Sequence, residues 1–278
     1  MRTAAFYTLG CKVNQYETEL IREQFLAQNY KIVPFSNLAD VYVINTCTVT
    51  AKSDRKCRYY IQAALRSSPP RGKVIVTGCY VNSAPTELAK ISPRIIIIPN
   101  QEKKNIVKHL LKDAVSPEIS FINTFKGHAR AFVKIQDGCD AFCAYCIVPY
   151  VRNILISRPS GEILSEVHNL VKNGYKEIVL TGIRLGKFRM TKEGSRPAPS
   201  QQTLAGKSVG RQARGGKEKS DLVELIKLIH QIQGLERIRL SSIEPVDVTD
   251  ELIEAMASLP KLCHHLHIPL QSGDDEVL

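Results

Sequence analysis

The stretch Asp137–Tyr150, DGCDAFCAYCIVPY, places Cys139, Cys143 and Cys146 in a Cys-x3-Cys-x2-Cys array directly after the strand-like run AFVKIQ. Thiolates are the usual protein ligands of iron–sulfur clusters, and three of them at this spacing can each bind one iron of a four-iron cluster. The fourth iron then has no protein ligand, and an open coordination position is typical of catalytic rather than structural metal sites. The sequence therefore predicts a reactive iron–sulfur centre.

Zinc is the alternative metal for such an array. A closed zinc site needs a fourth ligand and typically a second Cys or His pair further along the chain, and no such pair follows here. None of the seven His forms a metal-spaced pair with the Cys arrays. His265 and His267 share one face of a predicted strand, and His267 either lines the site or has a structural role. Zinc is therefore disfavoured.

Length and composition bound the class of protein. The 278 residues allow about two domains of ~150 residues each, with 44% hydrophobic residues for their cores. The first residues, MRTAAFYTLG, lack the features of a secretory signal, and the longest aliphatic run, Ile95–Ile98, is far shorter than the ~20 residues that span a bilayer. We therefore expect a cytoplasmic protein without membrane association, in which Cys arrays bind metal or act in catalysis rather than form disulfides.

The net charge of +11 is unevenly distributed. Residues 188–219 carry eight Lys and Arg against Glu193 and Glu218, with five Gly and few aliphatic residues. Such a composition predicts a disordered insertion, and a passive solvated loop is favoured over a nucleic-acid contact. The remaining basic surplus fits either phosphate binding or a merely solvated surface.

Strand-like runs alternate with segments of helical periodicity along the chain, which predicts βαβ units and parallel sheets. We expect an α/β fold with an N-terminal parallel-sheet domain at 1–112, a linker at 113–129 and an incomplete (β/α) barrel at 130–278. The predicted strands are 3–9, 41–44, 73–77, 94–98, 131–136, 177–180, 237–240 and 265–268, and the predicted helices are 14–27, 51–66, 102–111, 162–172, 222–232 and 251–257.

Cys11, Cys47 and Cys79 each follow a different predicted strand of the N-terminal domain. The carboxyl ends of parallel strands point to the same side of a sheet, where ligands bind. Gly10 and Gly78 precede two of these Cys and allow the backbone to approach a ligand closely. A second three-Cys cluster is therefore favoured over three buried, inert thiols.

Two further Cys lack this placement. Cys57 lies within a predicted helix, and Cys263 opens a predicted strand without a partner Cys nearby. Free Cys packs well as a small hydrophobic residue, so we expect both to be structural.

These motifs resemble those of a superfamily of enzymes and, more closely, those of one family. The array with Tyr145 before its last Cys resembles the signature of the radical S-adenosylmethionine (SAM) enzymes. Taken in order, TLGCKVNQYET, VINTCTVTAKSDRKC, VTGCYVN and DGCDAFCAYCIVPYVR resemble the methylthiotransferases over almost the whole chain apart from the insertion. The run LGCKVNQYET and Asp140 are most similar to the branch that acts on tRNA threonylcarbamoyladenosine, rather than to the isopentenyladenosine-tRNA or ribosomal-protein branches.

The resemblance implies two 4Fe-4S clusters and SAM as cofactors. The auxiliary cluster would be bound by Cys11, Cys47 and Cys79, and the radical-generating cluster by Cys139, Cys143 and Cys146. By motif position, the residues implied to contact SAM are Tyr145 near its adenine, Thr181 and Gly182 near its amino group, and Ser241 and Glu244 near its ribose or methionine part.

The implied activity is addition of a methylthio group to C2 of N6-threonylcarbamoyladenosine at position 37 of tRNA. A radical formed from SAM would remove the C2 hydrogen, so no side chain is needed as acid or base, and the cofactors carry the chemistry. The implied partners are the anticodon stem-loop of tRNA and a low-potential electron donor. The alternatives are the same reaction on isopentenyladenosine-37 and a non-catalytic iron–sulfur protein.

Two departures from the family pattern stand out. After the cluster motif, Asn153 replaces a family Gly and Ile156 replaces a family Arg. The chain also stops after four of the six barrel strands that the resemblance implies. We therefore expect a fragment, or the product of an incomplete gene, rather than a complete enzyme.

Overall fold

The N-terminal half forms a parallel sheet from its short aliphatic runs. Its elements are β1 (Thr3–Thr8), α1 (Lys12–Ala27), β2 (Lys31–Ile32), β3 (Val41–Thr46), α2 (Ala51–Ser67), β4 (Lys73–Gly78), α3 (Cys79–Ser83), α4 (Pro85–Ala89), β5 (Ile95–Ile97), a 3₁₀ helix (Asn100–Asn105) and α5 (Ile106–Leu110). In this computed structural model, which describes residues 1–110, 119–190 and 220–277, the strand order is β2-β1-β3-β4-β5. All neighbouring strands of this sheet pair in parallel.

Helices α1 and α2 cover opposite faces of the first sheet. Ile21 and Phe25 of α1 pack with Val43, whereas Ile61 of α2 packs with Ile44 in a separate apolar cluster. Successive side chains of a strand point to opposite faces, so β3 is buried along its whole length. The sheet is therefore a central layer between helices, as the aliphatic runs predict.

The second half contains a second, smaller parallel sheet. Its elements are β6 (Ala131–Lys134), β7 (Gln136–Asp137), α6 (Val148–Val151), β8 (Ile156–Ser157), α7 (Ser160–Lys172), β9 (Glu177–Thr181), a 3₁₀ helix (Leu185–Lys187), α8 (Leu222–His230), β10 (Arg237–Leu240), a 3₁₀ helix (Pro245–Asp247) and α9 (Asp250–Ser258). Strands β10, β9 and β6 pair in parallel, and β7 and β8 form a short antiparallel pair. The predicted fold class, a parallel α/β sheet followed by a partial (β/α) barrel, is confirmed.

Helix α1 belongs to both halves of the molecule. While Ile21 faces the first sheet, Tyr16 and Leu20 lie in the apolar core of the second half. The Tyr16 hydroxyl donates to Glu166 Oε1 at 2.9 Å and accepts from Arg158 Nη1 at 3.0 Å. The helix that begins after Cys11 is therefore held against both sheets.

The prediction of a strand at His265–Ile268 is wrong. Only one isolated bridge, between Ser242 and His267, forms there, and Ser242 Oγ lies 2.7 Å from His267 Nδ1. His265 and Ile268 are exposed, so a longer strand would bury little apolar area. Pro269 follows immediately and has no N–H to donate to a ladder.

Residues 113–118 of the predicted linker and 191–219 of the predicted insertion lie outside the described residues. The described parts next to them are packed. Ile122 and Phe125 are buried in the second core, as is Phe188, and Met190 N donates to Asp221 Oδ2 at 2.8 Å. Within the described ranges, every helix is too short or too polar to cross a bilayer.

Gly78 is expected to be indispensable for the sheet edge. Its φ is +103°, and a Cβ would lie 2.3 Å from Thr46 O and 2.6 Å from Thr46 N. Left-handed strain of about 1–2 kcal/mol adds to this backbone clash, so Gly78→Ala should lower the free energy of unfolding by about 2–4 kcal/mol. Urea unfolding of the apo-protein measures the change.

Gly174→Ala is the matched control. Gly174 has a φ of +95°, but a Cβ there meets no atom within 4 Å. This variant carries the strain without the clash and should lose no more than about 1–2 kcal/mol. Equal losses in the two variants would show that the clash at Gly78 is unimportant.

Candidate functional site

Cys11, Cys47 and Cys79 lie at the carboxyl ends of the adjacent strands β1, β3 and β4. Register pairs Thr46 with Gly78, so Cys47 and Cys79 directly follow a paired position of the sheet. Cys11 begins α1 as its N-terminal cap residue. The first of the two predicted Cys groups is therefore brought to one edge of the sheet.

The Cys47 thiol is buried and lies beside the start of α1. A Cβ built on Gly10 would lie 2.9 Å from Cys47 Sγ, so the backbone next to Cys11 touches the Cys47 thiol. Burial raises the pKa of Cys47, and negative charge on Cys79 and Cys11 raises it further. Cys57, by contrast, points away into the core, donates its thiol hydrogen to Cys47 O at 3.2 Å and has its pKa raised by burial to about 12. Cys57 therefore packs in the apolar core of the first half.

Cys139, Cys143 and Cys146 share the loop between β7 and α6. Each is partly exposed. The Cys146 N–H donates to Cys143 O at 2.9 Å, and the Ala141 N–H points to Cys139 Sγ at 3.5 Å. Burial raises the pKa of Cys139. The loop therefore presents three thiols that remain accessible to an incoming group.

Both trios consist of thiols, which are the usual protein ligands of iron–sulfur clusters. The ligands of one tetrahedral zinc lie about 3.8 Å apart, as Zn–S bonds of ~2.3 Å require. Among the described residues, no three His, Cys, Asp or Glu are placed to hold a single metal ion. Ligands of a four-iron cluster each bind a different iron and are more widely spaced. All eight Cys are free thiols, and the Cys139 loop offers the donor set of an iron–sulfur cluster.

Three of the five residues expected to contact SAM lie at the carboxyl ends of β9 and β10. Thr181 ends β9, Gly182 follows it, and Ser241 follows β10. Ser241 Oγ is buried and has no hydrogen-bond partner in the part of the chain that the structure describes. An unpaired buried hydroxyl is costly, so Ser241 Oγ is a donor and acceptor that the described protein atoms leave unused. Thr181 Oγ1 instead donates to Val179 O at 3.1 Å.

Gln136 is a site residue that the sequence analysis did not identify. Its Oε1 accepts the Arg184 N–H at 2.8 Å, and its Nε2 donates to Gly138 O at 2.8 Å. A Cβ on Gly182 would lie 3.0 Å from Gln136 Oε1. Gln136 thus joins the loop after β9 to the start of the Cys139 loop. In the sequence, Gln136 could have been noticed as a polar amide at the end of the strand-like run AFVKIQ, directly before Asp137.

Tyr145 and Glu244 are brought together through a third residue. The Tyr145 hydroxyl donates to Gln271 Oε1, and Gln271 Nε2 donates to Glu244 Oε2 at 2.9 Å. Tyr145 is 72% exposed, so one face of its ring is open beside the Cys loop. Gln271 has a φ of +69°, a strained backbone conformation of the kind that often occurs at ligand sites.

A charged cluster lies between the two trios and consists of Glu17, Lys103, Lys134, Asp137 and Arg152. Glu17 accepts from Lys103 Nζ and Lys134 Nζ at 2.6 Å each and from Arg152 Nη2 at 2.8 Å, and Arg152 Nη1 is 2.7 Å from Asp137 Oδ1. Burial alone would raise the pKa of Glu17, but Arg152, Lys103 and Lys134 hold it well below its usual range. The cluster joins α1 to the Cys139 loop.

Acid is expected to weaken this charged cluster. Because the folded chain favours ionised Glu17, its contribution is complete above the unfolded-chain pKa of about 4.3 and is lost as the pH falls through the lower folded-state pKa. The urea concentration at the unfolding midpoint of the apo-protein should therefore decrease when the pH is lowered below about 4. The decline should be less steep in Glu17→Gln, and equal slopes would contradict this assignment.

Two sequence families match the chain. The model of uncharacterized protein family UPF0004 matches residues 3–98, which include Cys11, Cys47 and Cys79. The model of the Radical SAM superfamily matches residues 133–278, which include the Cys139 loop and Ser241. The chain belongs to the radical SAM superfamily. Membership implies SAM and a 4Fe-4S cluster, and the accessible Cys loop and the unpaired Ser241 hydroxyl fit both.

Relatives of this radical SAM chain confirm the resemblance to methylthiotransferases. The threonylcarbamoyladenosine tRNA methylthiotransferase MtaB of Bacillus subtilis (strain 168) is 38% identical over 100% of this chain. The tRNA-2-methylthio-N(6)-dimethylallyladenosine synthase of Geobacter metallireducens is 30% identical over 98% of it. The chain spans 59% and 60% of the length of these two proteins.

Solved structures agree on the fold. The radical S-adenosylmethionine methyltransferase TsrM from Kitasatospora setae, a structure with cobalamin and a [4Fe-4S] cluster bound, superposes with a TM-score of 0.59. The match covers 99% of this chain and 62% of that one at 11% identity, and it shows a shared fold alone.

Proposed function

We propose that this radical SAM chain carries the two cluster sites of a tRNA methylthiotransferase, which adds a methylthio group to C2 of N6-threonylcarbamoyladenosine at position 37. The observation that supports it most is the gathering of Cys11, Cys47 and Cys79 at one sheet edge, in addition to the Cys139 loop. A radical SAM enzyme that only cleaves SAM needs one trio, whereas insertion of sulfur needs a second place to hold it.

The chain's own residues bind and orient the reactants. The Cys139 loop would hold the radical-generating cluster, and the Cys47 edge the auxiliary cluster. When bound, these groups and SAM supply the hydrogen-abstracting radical and the sulfur, chemistry that side chains cannot provide. Ser241 Oγ would hydrogen-bond to SAM, while Glu244, held by Gln271, would accept from its ribose or ammonium group.

Sequence similarity supports the proposed base. The chain shares 38% identity with the relative named for threonylcarbamoyladenosine and 30% with the relative named for dimethylallyladenosine. The further elements of the proposal are binding of the tRNA anticodon stem-loop, a low-potential electron donor, a cytoplasmic location, and domains at 1–112 and 130–278 joined by 113–129. The packing of α1 against both sheets supports close cooperation between these domains.

The test of the substrate is nucleoside analysis. A bacterial strain that lacks its own threonylcarbamoyladenosine methylthiotransferase is complemented with the complete gene that encodes this chain. Mass spectrometry of its tRNA nucleosides should show the 2-methylthio derivative of N6-threonylcarbamoyladenosine restored, because the proposed enzyme acts on that base.

The matched control is the same gene with Cys47→Ala, which should restore nothing because the auxiliary site has lost one ligand. Restoration of methylthio-isopentenyladenosine instead would assign the chain to the other tRNA branch. Absence of any methylthio nucleoside with the unaltered gene would contradict the proposed function.

A further inference from the structure

Arg152 contacts one residue of each Cys trio. Its Nε donates to Cys79 Sγ at 3.2 Å, and its backbone carbonyl accepts the Cys139 N–H at 3.0 Å. Arg152 itself is only 4% exposed. A single buried residue therefore connects the sheet edge of the first half to the Cys loop of the second.

The remaining N–H groups of Arg152 are held by fixed acceptors. Nη1 donates to both carboxylate oxygens of Asp137, at 2.7 and 2.9 Å. Nη2 donates to Glu17 Oε2 at 2.8 Å and to Asn14 Oδ1 at 2.7 Å. Because the guanidinium is planar, these bonds also set the direction of Nε toward Cys79. Lysine at this position cannot keep all of these contacts.

We infer that Arg152 is a positioning residue that tunes the auxiliary cluster through Cys79 and fixes that cluster relative to the Cys139 loop. Hydrogen bonds and positive charge at a ligand sulfur stabilise the more negative, reduced form of an iron–sulfur cluster. Arg152 therefore raises the reduction potential of the cluster at Cys79. This inference rests on the second cluster of the proposed function.

The directed hydrogen bond of Arg152 and its positive charge can be separated by substitution. Glu17 and Asp137 lie against the guanidinium, but Lys103 and Lys134 share these carboxylates, so the surrounding cluster keeps a formal charge of +1. The Nε–H of Arg152 points at Cys79 Sγ. Arg152→Lys keeps the charge and loses the directed Nε–H, so this variant isolates the hydrogen bond.

The test is a redox titration of the auxiliary cluster alone. The complete protein carries Cys139→Ala, Cys143→Ala and Cys146→Ala, is reconstituted anaerobically, and is followed by electron paramagnetic resonance. Adding Arg152→Lys should make the reduced form about tenfold less favourable, a shift of about −59 mV for a one-electron couple. Arg152→Met should lower the potential at least as much.

Arg158→Lys is the matched control. Arg158 is also ion-paired between the halves, at 2.6 Å from Glu166 Oε2, its side chain is 11% exposed, and its hydrogen bonds go to Tyr16, Glu166 and backbone carbonyls. The Arg158→Lys variant should destabilise the protein without changing the reduction potential of the auxiliary cluster. Equal potentials in the Arg152 and Arg158 variants, with about four irons bound in each, would overturn the inference.

A second measurement leaves Arg152 in place. With ¹⁵N-arginine incorporated, electron–nuclear double resonance of the reduced auxiliary cluster should show a ¹⁵N coupling that Arg158→Lys retains. Absence of this coupling overturns the inference without relying on a variant that folds. If the triple Cys variant binds no iron, the second cluster of the proposed function is absent and the inference falls with it. Loss of the tRNA activity alone contradicts only the proposed function.

Discussion

Replacing Cys139 by alanine is expected to abolish reductive cleavage of SAM and to lower the iron content from about eight to about four atoms per chain. Cys139 is one of three thiols in the loop after β7, and two thiolates cannot hold three irons of a cluster. Release of 5′-deoxyadenosine by the anaerobically reconstituted protein, together with iron and sulfide analysis, measures both effects.

Two further variants sharpen this result. Cys263→Ser should keep about eight irons, because Cys263 lies apart from both trios. Cys47→Ala should also fall to about four irons but keep cleavage of SAM, since the Cys139 loop is untouched. If Cys139→Ala retained its iron and its cleavage activity, the assignment of the loop as the radical-generating site would be wrong.

Glu17→Gln is expected to cause the largest loss of stability. Glu17 accepts hydrogen bonds from Lys103, Lys134 and Arg152, and its side chain is only 10% exposed. Removing this carboxylate charge leaves buried Lys103 without its acidic partner, while Lys134 and Arg152 keep only Asp137, and breaking a buried ion pair in this way typically costs about 3–5 kcal/mol. Urea unfolding of the apo-protein at neutral pH should show this loss in the free energy of unfolding.

Glu162→Gln provides the comparison. It makes the same chemical change at a side chain that is 45% exposed and 3.8 Å from Arg158 Nε. An exposed ion pair contributes about 0–1 kcal/mol, so this variant should unfold almost as the parent does. A Glu17 variant as stable as the Glu162 variant would show that the charged cluster contributes little to folding.

The parallel strands and the Cys trios could be predicted from the sequence because both depend on short-range patterns. Aliphatic runs of strand length, such as Val41–Thr46, must be buried on both faces, and the residue after each run is then placed at the sheet edge. Cys47 and Cys79 follow such runs directly. The spacing of Cys139, Cys143 and Cys146 needs no tertiary information.

The strand predicted at His265–Ile268 failed for the opposite reason. Its alternation of apolar and polar residues satisfies a local pattern, but a strand forms only where pairing buries apolar area. His265 and Ile268 remain exposed, and only the Ser242–His267 bridge forms. A local pattern could not reveal this, because the cost depends on what lies beside the segment.

By itself, the sequence determined the alternation of strands and helices, the Cys139–Cys143–Cys146 array and the family, since each rests on residue types at short spacings, whereas Cys11, Cys47 and Cys79 reach one sheet edge through the pairing of β1, β3 and β4. Only the tertiary structure decided that α1 packs against both sheets and that Arg152 joins the trios. Arg152 and Cys79 are 73 positions apart, and Arg152 and Glu17 are 135 apart. A buried charge is costly unless it is paired, and its partners here come from segments that are distant in sequence and become neighbours only in the folded chain.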